Sequence, residues 1–101
     1  MKTIIIKGSS YNLKYTIRAF FIFENLTGYP FCFGKVLDEY LLFYSMILAN
    51  NEAFDLIFDE FINLCDEDST LFAQFKEFFL AEVKKQSQDT SSVKKKTVRK
   101  K

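Results

Sequence analysis

The chain has 101 residues, of which 49% are hydrophobic and 27% charged, the make-up of one globular domain. It has no histidine and only three glycines, which removes the commonest general base, the commonest zinc ligand and any glycine-rich phosphate cradle. The net charge of +1 divides unevenly: residues 1–83 hold six Lys/Arg and twelve Asp/Glu, whereas 84–101 hold eight Lys/Arg and one Asp, so an acidic body precedes a basic tail.

Residues 2–7 read as a strand with Ile4 and Ile6 on one face and Ile5 on the other. Gly8-Ser9-Ser10 is a turn signal, and Tyr11, Leu13 and Tyr15 alternate with polar residues beyond it. This predicts a β-hairpin, which needs helices to pack on because a lone hairpin is marginal in water. Thr16 is placed to cap a first helix that runs to Thr27, with Gly28 as its C′ residue and Pro30 just after. Ile17, Phe20, Phe21, Ile22, Phe23 and Leu26 make that helix apolar almost all round, which predicts a central position.

An aromatic connector, 29–34, leads into a second helix over 35–50. Leu37, Tyr40, Leu41, Tyr44, Ile47 and Leu48 form its stripe, while Leu42, Phe43 and Met46 lie off it. In so small a domain the extra apolar face is expected to meet a partner, so Leu42, Phe43 and Met46 are the candidate partner-binding residues. The thirteen phenylalanines point the same way, since such rings need burial and a small domain has few wholly buried positions.

A third helix is expected over 58–65, with Phe58, Phe61, Ile62 and Cys65 on one face and Asp59 and Glu60 in its first turn. Asp66-Glu67-Asp68 ends it, and Asp68 or Ser69 caps a fourth helix reaching Lys85. Its stripe is Leu71, Phe72, Phe75, Phe78, Phe79 and Val83. The fold class is therefore mainly α: an N-terminal β-hairpin packed on about four helices over residues 1–86, with a disordered basic tail over 87–101.

No catalytic constellation emerges. Serines and threonines have no base to activate them, and the carboxylates fall on exposed helix faces or helix starts. Asp66, Asp68, Thr70 and Glu77 match a calcium loop at four positions, but Leu71 stands where that loop requires glycine. A helix end followed by a cap explains them. Cys32 and Cys65 are expected to be reduced core thiols. The longest uncharged apolar run, 41–49, is about half of a membrane span. No cofactor or metal is expected, and a cytosolic location follows. The tail residues Lys94, Lys95, Lys96, Arg99, Lys100 and Lys101 are candidate phosphate contacts, without aromatics for base stacking.

The ordered set of a hairpin, the helix end Phe21-Ile22-Phe23-Glu24-Asn25-Leu26-Thr27-Gly28, the segment Phe58-Asp59-Glu60-Phe61-Ile62 and the segment Asp66-Glu67-Asp68-Ser69-Thr70-Leu71-Phe72 resembles small tail assembly chaperones of siphophages, especially those of phages and prophages of gut Bacteroidetes. The resemblance covers about residues 1–83. At position 57, where that family often has a capping Thr or Ser, this chain has Ile57. The resemblance implies a non-catalytic helper in the host cytoplasm, absent from the mature virion. It implies that the protein binds the tape measure protein, assists tail tube assembly with the tail tube protein, and self-associates. It also implies a longer, frameshifted form, for which the codons of Lys94-Lys95-Lys96 are a candidate slippery site. The residues alone leave two other readings: a nucleic-acid-associated regulator acting through the tail, and a phage-encoded inhibitor whose acidic body docks on a host protein.

Overall fold

The computed structural model describes residues 1–85 with their side chains; the tail expected over 87–101 lies outside these described residues. Two strands, β1 (Lys2–Ile6) and β2 (Ser9–Leu13), precede four helices: α1 (Ile17–Thr27), α2 (Val36–Asn50), α3 (Phe58–Glu67) and α4 (Thr70–Lys100). The expected class, mainly α with an N-terminal hairpin, is the observed one.

The strands pair antiparallel with Ile6 opposite Ser9 and Lys2 opposite Leu13. The turn is therefore the two residues Lys7-Gly8, and Ser9 and Ser10 belong to β2 rather than to the turn. Both turn residues have positive φ, 52° and 79°, the type I′ geometry whose twist matches that of the strands. Gly8 adopts this freely, whereas Lys7 is strained there. Lys7→Asn is expected to raise stability by about 0.5 kcal/mol, because Asn tolerates the left-handed region. A fall in the urea midpoint would instead show that the lysine ammonium contributes through the nearby Glu60 and Glu67, with which it lines a shallow cleft.

Alternation along the hairpin puts Ile4, Ile6 and Leu13 in the core and leaves Ile5 exposed. The first helix starts and stops as its sequence indicates. Thr16 Oγ1 accepts from the Ala19 N–H at 3.3 Å, and Gly28, at φ 84°, donates its N–H to the Glu24 carbonyl at 2.7 Å.

The central helix is α2, not α1. α2 packs against α1, β2, α3 and α4. It buries an unbroken run from Leu42 to Ile47, with Leu42, Phe43, Met46 and Ile47 at 0% exposure. Each such side chain contributes roughly 1.5–3 kcal/mol by leaving water. Within the run, the Ser45 hydroxyl donates to the Leu41 carbonyl at 2.7 Å, so its burial leaves no unmet donor. α1 buries only Ala19 and Phe23 and turns Ile17 and Phe21, one helical turn apart, outward.

Phe43 is the hub of the aromatic core. It stacks on Phe75 of α4 at 4.6 Å and meets Phe61 of α3 edge-on at 5.0 Å. Phe75 stacks in turn on Phe79 at 5.5 Å, and Phe79 on Tyr15 at 5.8 Å, which carries the packing back to the second residue after the hairpin. A salt bridge between Lys76 and Glu39, 3.1 Å long, ties α4 to the start of α2.

Two asparagines at the end of α2 hold the hairpin in place. Asn51 Oδ1 accepts from the Asn12 N–H at 2.8 Å, while its Nδ2 donates to the Asn12 carbonyl at 2.9 Å and to the Ile47 carbonyl at 2.9 Å. Asn12 lies opposite Thr3 in a pair whose main-chain groups point away from β1. The Asn51 amide thus substitutes for a third strand on the outer edge of β2. Asn50 adds a bond from Nδ2 to the Lys14 carbonyl at 3.2 Å.

The third helix is longer than expected, ending at Glu67, and Asp68 follows it. Ile57 supplies no side-chain acceptor at its start; the Glu60 carboxylate reaches back to the Ile57 N–H at 3.3 Å, which is half of a capping box. Asp68 Oδ1 accepts from both the Thr70 N–H, at 3.0 Å, and the Thr70 hydroxyl, at 2.6 Å. The calcium-loop look-alike is thus a helix cap.

Candidate docking surface

The first turn of α2 is set by the connector before it. The Tyr29 hydroxyl donates to Asp38 Oδ1 at 2.9 Å, and the Lys35 ammonium lies 3.9 Å from the other Asp38 oxygen and 5.1 Å from the centre of the Tyr29 ring. Asp38 is 1% exposed, and its charge sits where the helix macrodipole favours it. With Asp38 turned inward, its two predecessors turn outward: Val36 is 68% and Leu37 58% exposed.

Val36 and Leu37 overlook α3 across a groove of about 420 Å³. Tyr40, Phe58, Ile62 and the Cys65 thiol complete its apolar lining. Tyr40 is fixed by stacking on Phe72, with ring centres 4.1 Å apart. Asp59 and Asp66, both exposed, line the same groove from α3. α3 carries four carboxylates, Asp59, Glu60, Asp66 and Glu67, and no Lys or Arg. Its Glu60–Glu67 side faces the opposite way, toward Lys7.

Burial pushes the Tyr40 phenol up, and Cys65 and Asp66 add to the effect. Burial, then Asp66 and Asp68, push the Cys65 thiol up to about 11. A thiol so placed stays protonated and inert near neutral pH. Cys32, expected in the core, is exposed in the connector, and both cysteines are free.

The residues expected to bind a partner are not at the surface. Leu42, Phe43 and Met46 are wholly buried, because α2 is enclosed by the hairpin, α1, α3 and α4. Leu37, expected within the core stripe, is the exposed one. The tail candidates Lys94, Lys95, Lys96, Arg99, Lys100 and Lys101 lie outside the described residues. A second apolar patch, Ile17 and Phe21, lies on the outer face of α1.

Among the described residues, no three of His, Cys, Asp and Glu gather closely enough to hold a metal ion. Nor is any described helix long and apolar enough to cross a membrane. No family model, curated protein or solved structure matches the chain.

Proposed function

We propose that the protein is a non-catalytic assembly chaperone of the siphophage tail type, which covers apolar helical surface on the tape measure protein in the host cytoplasm while the tail tube forms. The observation that carries this reading is the exposure of large apolar side chains on a small acidic body: Val36, Leu37, Ile17 and Phe21 are each more than half exposed. Isolated exposed apolar residues are ordinary, but Val36 and Leu37 continue into a groove with an apolar floor. The resemblance of the hairpin, the Phe21–Gly28 helix end and the two acidic–aromatic segments supplies the client class.

The test is co-expression with the tape measure protein and the tail tube protein of the same genome. The client is expected to stay soluble and to co-purify with this chain. A chain that remains a strict monomer by light scattering, beside an insoluble client, would overturn the reading.

A further inference from the structure

The feature of the α2–α3 groove that names its occupant is an apolar floor lined by two exposed carboxylates, Asp59 and Asp66. Asp59 and Asp66 lie seven residues apart on α3, two turns along the same side, with Ile62 between them. Two lysines that reach the start of α2 have acidic partners there. Lys35 is held by Asp38 and Tyr29, and Lys76 by Glu39. From these observations we infer that the α2–α3 groove docks one amphipathic helix of the client, whose apolar stripe seats on Val36, Leu37, Tyr40, Phe58 and Ile62 and whose flanking Lys or Arg residues meet Asp59 and Asp66. This rests on the chaperone reading for the identity of the client, but the chemistry of the site stands apart from it.

The occupant is helical for a geometric reason. Helix-in-groove recognition needs anchors at i, i+3, i+4 and i+7, and the groove is a trough between two helices rather than an open sheet edge. The occupant is basic for an electrostatic reason. Asp59 and Asp66 are exposed on the groove, so a helix flanked by acids is repelled at the rim, whereas a basic one is drawn in.

The experiment uses the full chain and two labelled peptides of about 18 residues, roughly five helical turns. Both carry the same apolar stripe; one has Lys and Arg on its flanks, the other Glu and Asp. Fluorescence anisotropy is expected to give binding of the basic peptide at least tenfold tighter than of the acidic one, a preference that weakens with salt. Leu37→Glu is expected to cost the basic peptide tenfold or more. The double variant D59K/D66K is expected to reverse the preference. All three residues are exposed, so circular dichroism should match the parent chain, with a small fall in the thermal midpoint for D59K/D66K, which sets a cation at the start of α3.

Equal affinity for the two peptides would overturn the charge argument. Unchanged binding in Leu37→Glu, or amide shifts confined to the Ile17–Phe21 face, would overturn the site. A parent dimer that becomes monomeric in Leu37→Glu, with no peptide binding, would make the groove a contact between copies and overturn the proposal. Loss of peptide binding by Leu37→Glu, together with failure to capture the tape measure protein, would uphold the groove and sink the chaperone reading. Capture of that protein undiminished by Leu37→Glu would do the reverse.

Discussion

Phe43→Ala is expected to lower the unfolding free energy by about 3–5 kcal/mol, the usual cost of emptying a buried phenylalanine site. For a domain of this size that shifts the thermal midpoint by roughly 15 °C or more. The reason is specific to its place. Phe43 stacks on Phe75 and meets Phe61 edge-on, so its loss opens a void shared by α2, α3 and α4. Those rings belong to different helices, and none can close the gap without losing its other contacts. Leu37→Ala, six residues earlier on the same helix, is expected to change stability by at most about 0.5 kcal/mol, since that side chain is largely in water. Paired urea titrations check both. A Phe43→Ala protein as stable as the parent would mean that α2 is not the enclosed helix described above.

Asn51→Asp is expected to cost about 2 kcal/mol, although it replaces one atom. The amide accepts from the Asn12 N–H and donates to two carbonyls, those of Asn12 and Ile47. A carboxylate keeps the acceptor and loses both donor bonds. It then sets a negative charge against two carbonyl oxygens. Asn51→Ala is expected to cost less than Asn51→Asp, because it removes the bonds without adding the repulsion. Urea midpoints for the two variants give the order, and hydrogen exchange at the Asn12 amide should rise in Asn51→Ala, which removes its acceptor. An unchanged exchange rate at Asn12 would show that α2 does not close that edge.

Much of the fold was legible from residue spacing. The alternation of Ile4 with Ile6, and of Tyr11 with Leu13, located the hairpin. Thr16 and Gly28 marked both ends of α1, and the phenylalanine stripe of α4 read correctly at Leu71, Phe75 and Phe79. What periodicity could not settle was which of two nearly all-apolar helices lies inside. That is decided by what the chain brings round them, and α2 gains neighbours from both the N-terminal hairpin and the C-terminal helix. The same ambiguity misplaced the candidate surface. A stripe through Leu37 and Tyr44 leaves Leu42, Phe43 and Met46 off it, whereas the folded helix turns those three inward. The true orientation is fixed by Asp38, a buried carboxylate that the Tyr29 hydroxyl holds from nine residues away, and no stripe count reveals it. Asn51 carries no apolar periodicity to mark it. Its role in holding β2 depends on a contact 39 residues apart in sequence.

The Asn51 contact has a consequence for how this chain tolerates change. Its amide meets the main chain of residue 12, through an N–H and a carbonyl that every amino acid except proline presents alike. The side chain at position 12 is exposed. Drift at position 12 is therefore nearly free, while position 51 is held to one residue type. Among related chains, the signature of this hairpin would be an invariant asparagine facing a variable strand position, a pairing that covariation between the two columns would never reveal.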